Sequence, residues 1–253
     1  MNDEIYGLRA VEEALDGGRP IDKVLIRRGM SDDAARGLVR RLRRSGVPYQ
    51  IVPYEALERL FRGKNHQGVA AYVAPTAYAD AENIVAAAYD SGKIPLLVYL
   101  DGVTDVRNFG AVARSAECFG ADALILPALK SVRLSPDAVK ASAGALMRLP
   151  VCRAVSPVQT LRRLKASGLK IVLACEHAKR SAFDFDPEGP VCYVFGGESR
   201  GASPETVAVA DERIRIPTVG SIGSLNVAVA AGIVLALEAH RRISTRSSHP
   251  KTT

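Results

Sequence analysis

The chain has 253 residues, 47% of them hydrophobic and 24% charged, the make-up of an ordinary globular protein with room for one large domain or two small ones. Lysine and arginine exceed the acids by seven, +3 over residues 1–75 and +4 over residues 76–253, so the excess is spread along the chain and suits a polyanionic partner without forming a basic tail. The longest apolar run, about a dozen small residues around Val227–Leu237, is too short for a membrane span of about 20; the acid-bearing start MNDEIYGLRAVEEALDGG is not expected to be a secretory leader, and four scattered cysteines without a C-x-x-C pair predict neither zinc nor disulfides and suit a reducing cytoplasm.

Residues 1–75 read as a compact α/β unit. Leu8, Val11, Ala14 and Leu15 recur at helical spacing until Gly17-Gly18 end the helix. Lys23–Arg27 (KVLIR) is strand-like. Ser31 and Asp32 are candidate caps for a helix through Arg44, with Ala35, Leu38, Val39 and Leu42 on one face. Its other face carries Arg36, Arg40, Arg41, Arg43 and Arg44, which is either a solvated surface or a grip on RNA phosphates. Tyr49–Val52 reads as a strand, Glu55–Phe61 as a helix and Val69–Val73 as a strand, with the polar loop Arg62–Gln67 (RGKNHQ) between the last two.

A linker is expected over 76–90, small and polar from Pro75 to about Asn83. A second pattern follows over 91–243. Strands at Leu96–Leu100, Ala123–Leu126, Val151–Ala154, Ile171–Ala174 and Val191–Phe195 alternate with helical stretches such as Ala111–Phe119 and Val158–Ser167, which predicts a mainly parallel sheet covered on both faces. The last helix, Asn226–Arg242, is apolar almost all round over its first three turns, so several of its sides must be buried, in part by an oligomer contact. The tail over 244–253 (STRSSHPKTT) is polar and expected to be disordered. No internal repeat is visible.

Three loops of the second region carry candidate chemistry: DGVTDVRNFGAVAR from Asp101 to Arg114, GGESRGASP from Gly196 to Pro204, and IPTVGSIGSLN from Ile216 to Asn226. Each follows a strand, and strand C-terminal ends are where open α/β sheets bind ligands. Taken singly each is modest: glycines also make tight turns, Glu198 also suits a surface acid, and Arg114 also suits an ion pair. The glycine loop is not G-x-G-x-x-G and lacks the later acid, so a nicotinamide oxidoreductase is unsupported. There is no P-loop and no G-x-S-x-G elbow. The four histidines show no ligand spacing, and no metal is expected.

Together and in order, the three segments resemble the SpoU class of SPOUT RNA 2′-O-methyltransferases. Asn108-Phe109-Gly110-Ala111 with Arg114-Ser115-Ala116 looks like the family's first motif, Phe195–Gly201 like the second, and Ile216-Pro217 with Gly223–Ala231 like the third. Thr218, Ala228 and Asn65 depart from residues common in the family, but Asn108, Arg114 and Glu198 are intact. Ile5-Tyr6-Gly7, the following Ala10-Val11 and Ala14-Leu15, and His66-Gln67-Gly68-Val69 are similar to the subgroup that methylates a guanosine ribose of large-subunit rRNA. Near it stand tRNA ribose methyltransferases of the same class.

The resemblance implies an α/β chain with a trefoil-knotted, mainly parallel catalytic domain over 91–243 and a smaller L30e-like RNA-binding domain over 1–75. It implies S-adenosylmethionine as methyl donor, held by backbone near Gly196, Gly197, Ile216 and Leu225, with Ser224 and Asn226 at the start of the last helix and Cys175 at the rim. It assigns Arg114 to removal of the ribose proton, with Asn108 and Glu198 orienting it or the ribose. Because arginine is effectively always protonated, stabilisation of a developing alkoxide suits Arg114 better. Arg40, Arg41, Lys64, His66 and Gln67 are the candidate RNA contacts. The partners implied are 23S rRNA and a second copy of the chain, with no membrane, in the cytoplasm. The alternative from another class is a non-catalytic RNA-binding ribosome-assembly factor on a degenerate methyltransferase fold.

Overall fold

The computed structural model describes residues 4–30, 33–198 and 200–248, the last three by backbone alone. The expected caps Ser31 and Asp32, and residues 249–253 of the expected tail, lie outside the described residues. The chain divides into two compact units, Met1–Ala77 with Arg133–Pro136, and Tyr78–Val132 with Asp137–Thr253. Among the described residues no helix is long and apolar enough to cross a membrane.

The first unit runs β1 (Glu4–Tyr6), α1 (Leu8–Asp16), β2 (Ile21–Arg27), α2 (Asp33–Arg44), β3 (Tyr49–Val52), α3 (Tyr54–Leu60) and β4 (Val69–Val73). Its sheet has the order β1-β4-β2-β3 and is mixed, with β2 and β3 parallel and the other pairs antiparallel. Alternation along β4 divides the core. Val69, Ala71 and Val73 pack with Val11 of α1 and with Leu38 and Leu42 of α2. Ala70 and Tyr72 face the other way, towards Leu57 of α3 and Phe61. From the short segment 133–136, the Arg133 guanidinium lies 3.7 Å over the Tyr72 ring, and the Leu134 N–H donates to the buried Asp22 carboxylate at 3.3 Å.

The second unit runs α4 (Ala81–Asp90), β5 (Leu96–Asp101), α5 (Val106–Cys118), β6 (Ala123–Pro127), α6 (Pro136–Ala141), a 3-10 turn (Ala145–Met147), β7 (Val151–Ala154), α7 (Pro157–Ala166), β8 (Lys170–Ala174), β9 (Arg180–Ser181), β10 (Val191–Gly196), α8 (Pro204–Val209), β11 (Glu212–Arg215) and α9 (Val227–Ser248). Its seven strands, in the order β7-β6-β5-β10-β8-β11-β9, are all parallel. β5 and β6 are buried along their whole length, as strands covered on both faces must be. Leu97 and Tyr99 of β5, Ile125 of β6 and Leu173 of β8 share a core with Val85 of α4 and Leu161 of α7. On the opposite face α9 packs against α5 and β10.

Three expectations need correction. The stretch expected as linker contains α4, capped by the Asp80 carboxylate on the Asn83 N–H at 2.9 Å and holding Ala81, Val85 and Ala88 in the core; its small residues pack closely, which composition alone reads as linker. The last helix continues to Ser248, so half of the expected disordered tail is helical. The helix that carries the first motif begins at Val106, not Ala111, because the Asp105 carboxylate caps it by accepting the Arg107 and Asn108 N–H groups at 2.8 and 2.9 Å.

The C-terminal half of α9 is pinned by one buried acid. Glu238 is 3% exposed. It accepts the Tyr193 hydroxyl at 3.0 Å, Arg241 Nη1 at 3.3 Å and Arg242 Nε at 2.6 Å. Arg241 also donates to the Ala182 carbonyl at 2.7 Å, and Arg242 to that of Ile94 at 2.6 Å. Burial first, then the Glu238 carboxylate, raises the Tyr193 pKa, so the hydroxyl stays a donor. Removing one member of such a buried set leaves the others uncompensated, which costs about 3–5 kcal/mol. Glu238→Ala is expected to lower the free energy of urea unfolding by about that amount, and Glu238→Gln, which still accepts the Tyr193 hydroxyl, by less.

Candidate active site

The C-terminal ends of β5 and β10 lie side by side, with Gly196 paired to Asp101. Asp101 is 8% exposed and accepts the Ser203 N–H at 2.7 Å and the Ser203 hydroxyl at 2.8 Å. Ser203 in turn caps α8 through the Thr206 N–H. The loop after β10 is thereby folded back on its own strand. The turn leaves no room for side chains: a Cβ on Gly196 would stand 2.2 Å from the Ala202 nitrogen, and one on Gly197 would stand 2.3 Å from the Gly102 carbonyl. Glycine at these positions is a packing requirement.

Three side chains, one from each motif loop, meet above this turn. Asn108 Nδ2 donates to Glu198 Oε1 at 2.7 Å. Asn226 Nδ2 donates to the same Glu198 oxygen at 2.7 Å and to Asn108 Oδ1 at 2.9 Å. The remaining oxygen of Asn226 caps α9, accepting the Ala228 N–H at 2.9 Å and the Val229 N–H at 3.4 Å. A closed triangle of hydrogen bonds therefore ties residues separated by up to 118 positions in sequence.

Beside the triangle opens a cleft of about 610 Å³, within the range of small-molecule sites. Every residue expected near the methyl donor borders it: Cys175, Gly196, Gly197, Ile216, Ser224, Leu225 and Asn226. S-adenosylmethionine fits this wall. Phe195, Ile216 and Leu225 give apolar surface, the bare backbone at Gly196 and Gly197 admits close approach, and the Glu176 and Glu198 carboxylates suit a sulfonium cation. Arg200 and His177 also border the cleft and were not singled out from sequence, since nothing in their spacing marks them; Thr218, noted there only as a departure from the family's third motif, borders it as well. Asp101 and Ser203 were missed as well, although a Ser-Pro before a short helix is a capping signal. Among the described residues no cluster of His, Cys, Asp and Glu is placed to hold a metal.

Arg114 stands apart. It is exposed on α5 and borders neither the cleft nor the smaller hollow on the other side of Glu198. Among the candidate RNA contacts, His66 is corrected. It is 3% exposed, its Nδ1 accepts the Gly68 N–H at 3.1 Å, and its Nε2 lies 2.9 Å from Glu58. Both ring nitrogens are occupied inside the fold, so His66 shapes the Arg62–Gln67 loop and does not touch a ligand. Lys64 and Gln67 are exposed on that loop. Arg41 is engaged by Glu12 at 3.7 Å and by Asp16, whereas Arg40 is exposed and unpaired among the described residues.

Residues 95–236 match the model of the SpoU rRNA Methylase family, and residues 5–79 match the model for RNA 2′-O ribose methyltransferase substrate binding. A 23S rRNA (guanosine-2′-O-)-methyltransferase RlmB of Photobacterium profundum is 35% identical over 236 residues, covering 92% of this chain and 96% of that protein. The crystal structure of the SpoU methyltransferase AviRb from Streptomyces viridochromogenes in complex with AdoMet has a TM-score of 0.60 at 28% identity, covering 95% of this chain and 90% of that one. A TrmH/SpoU tRNA modifying enzyme of A. aeolicus has a TM-score of 0.55 at 29% identity, covering 64% of this chain and 82% of that one. With both units matched in this way, the chain belongs to the SpoU rRNA methylase family and is an RNA methyltransferase that takes its methyl group from S-adenosylmethionine.

Proposed function

We propose that this enzyme methylates the 2′-hydroxyl of a guanosine ribose in 23S rRNA. The observation that carries the reading is the Asn108–Glu198–Asn226 triangle at the mouth of the cleft. It is complete in all three members, as an assembly factor that had lost catalysis would have no need to keep it. The choice of rRNA over tRNA is supported by reach along the chain. The rRNA-modifying relative covers 92% of it, whereas the tRNA-modifying structure covers 64%, too little to span both units.

The donor supplies a methyl group already activated on a sulfonium, so alignment of the ribose oxygen with that methyl is the protein's main task, worth about 7–11 kcal/mol. Gly196, Gly197, Ile216, Leu225 and Ser224 hold the donor, with Cys175 at the rim. Asn108 and Asn226 fix the Glu198 carboxylate beside the ribose. The first unit, L30e-like in this reading, binds RNA through Lys64, Gln67 and Arg40. Entry of β10 between β5 and β8, strands laid down earlier in the chain, supports a trefoil knot in the catalytic unit. A cytoplasmic location follows from an rRNA substrate.

A homodimer is part of the same proposal. Val229 on α9 is 50% exposed, and Leu225, Ile222 and Ile243 are exposed apolar side chains in or beside that helix. A twofold contact over this surface accounts for Arg114, which its own chain keeps out of the cleft: the guanidinium serves the ribose held by a second copy.

Methyl transfer from labelled donor to 23S rRNA, followed by mapping, is expected to place the methyl on a guanosine 2′ oxygen; modification confined to tRNA would move the substrate to the neighbouring class. Bound S-adenosylmethionine is expected to protect Cys175 from alkylation while exposed Cys118 continues to react. Sedimentation is expected to show a dimer at micromolar concentration, and Arg114→Ala to lose at least tenfold in turnover, about 1.4 kcal/mol, with donor affinity unchanged. Replacing Arg40 and Lys64 together by alanine is expected to flatten the dependence of log RNA affinity on log salt by about two units, roughly one per phosphate contact.

A further inference from the structure

One end of the first unit's sheet gathers four separate stretches of chain. β2 and β3 run parallel, and β4 runs against β1 and β2, so the ends of β1, β2 and β3 and the start of β4 lie together. Backbone hydrogen bonds lock these stretches to one another. The Gly7 N–H donates to the Val69 carbonyl at 2.9 Å, the Arg27 N–H to that of Gly68 at 2.8 Å and the Arg28 N–H to that of Val52 at 2.7 Å. Arg27 and Arg28 are exposed here, and the polar loop that ends at Gln67 adds exposed Arg62 and Lys64. The acids of α3 are Glu55, which is exposed, and Glu58, whose Oε1 is committed to Tyr54 and His66. Cations therefore dominate this end, which suits a polyanion.

Two residues at the same end are shaped for a nucleobase and not for a phosphate. Tyr54, the first residue of α3, is 47% exposed. Its hydroxyl donates to Glu58 Oε1 at 2.7 Å, and the buried His66 ring lies 5.9 Å from its own ring at a tilt of 51°. The ring is held at its hydroxyl end and backed on one side, and it presents bare aromatic surface to solvent. Gln67 has φ of +48°, a left-handed conformation that glycine adopts freely and a glutamine does not. Packing does not demand a side chain there. Gln67 is exposed, and the turn is fixed by its neighbours: His66 inside the fold, and Gly68, where a Cβ would stand 2.7 Å from Met30 Sδ. An amide with both a donor and an acceptor is thus displayed at a strained backbone position, as happens where a ligand is gripped. Arg27 neighbours both residues. It acts electrostatically on the Tyr54 hydroxyl, and its Nε stands 3.5 Å from where a Cβ on Gly68 would be.

We propose that this end of the first unit takes an unpaired nucleotide of the substrate RNA. Its base stacks on the Tyr54 ring, the Gln67 amide bonds the edge of the base, and Arg27 and Arg28 hold the flanking phosphates. The proposal rests on the reading of the first unit as the part that binds RNA. Such a site rejects a regular duplex, whose bases are stacked on one another and whose major groove is too narrow for side chains, and selects a loop or a bulge. Stacking tolerates every base because each has a flat face, so choice among bases falls to the amide of Gln67.

The test is binding of an unmethylated 23S rRNA transcript at several salt concentrations. Tyr54→Leu is expected to lower affinity about fivefold or more, the low end of what one stacked base contributes, without changing the slope of log affinity against log salt. Tyr54→Phe keeps the ring and loses the hydroxyl, and is expected to stay within about twofold of wild type. Arg27→Ala is expected to show a different signature, a slope shallower by about one. Gln67→Gly relieves the backbone; it is expected to unfold in urea no earlier than wild type, yet to bind the transcript about fivefold less tightly, as for one lost hydrogen bond. S-adenosylmethionine affinity by calorimetry is expected to be unchanged in all four. A hairpin with an unpaired loop is expected to displace the transcript at lower concentration than a fully paired RNA duplex of the same length. Wild-type affinity in Tyr54→Leu, an equal loss in Tyr54→Phe, or equal competition by the duplex overturns the proposal, and wild-type affinity in Gln67→Gly overturns the reading of the base edge. If Arg27→Ala still flattens the slope in those cases, RNA binding by the first unit stands; if Arg27→Ala also matches wild type in affinity and slope, that reading falls with it.

Discussion

Everything at the functional end of the catalytic unit hangs on one closed set of hydrogen bonds, the Asn108–Glu198–Asn226 triangle. Each member belongs to a different loop, and each loop has its own reason to be there. Asn108 is in the first turn of a helix capped by Asp105. Glu198 rides on a turn folded back by Asp101 and Ser203. Asn226 caps α9 with one end of its amide and serves the triangle with the other. The carboxylate at the centre accepts two amide protons at one oxygen, which orients it without neutralising it.

The parallel sheet makes this convergence possible. Strands that all run the same way deliver all their C-terminal loops to one end, and the central strands are apolar enough to be buried on both faces. Pairing of Gly196 with Asp101 then sets the first and second motif loops at hydrogen-bonding distance. The lack of room at Gly196 and Gly197 shows how tight that apposition is: a single added carbon would push the second loop off the first. Away from the site, Glu238 anchors the far half of α9, so the helix that begins at the triangle is held at its other end by charge pairing in a buried setting.

In the first unit, polar groups shape a surface without joining it. His66 is enclosed, bonded to the Gly68 backbone and to Glu58. Glu58 also accepts the Tyr54 hydroxyl at 2.7 Å, and these two hydrogen bonds, Tyr54 first, lower the Glu58 pKa, keeping the acid ionised as an acceptor. The exposed residues of the loop, Lys64 and Gln67, are thus presented by a scaffold of buried ones. Arg41 follows the same logic on α2, where the acids of α1 engage its guanidinium and leave Arg40 to solvent.

Residue pattern alone determined the two-unit α/β organisation, the apolar strands of the parallel sheet and the three loops that meet at the triangle, because short buried strands and glycine turns are local signals that survive without knowledge of partners. The same pattern misread α4 as linker and began α5 five residues late, since small residues and a cap take their meaning from what packs against them. Charge and type marked His66 and Arg41 as ligand contacts; only tertiary structure decided that one is buried and the other paired, because exposure is a property of neighbours distant in sequence. It likewise decided that Arg114 stands outside the cleft of its own chain while Asn108, six residues earlier on the same helix, is hydrogen-bonded to two residues that border it: a helix turns by about 100° per residue, and which face meets the site is set by the packing of α5 against α9, not by the motif.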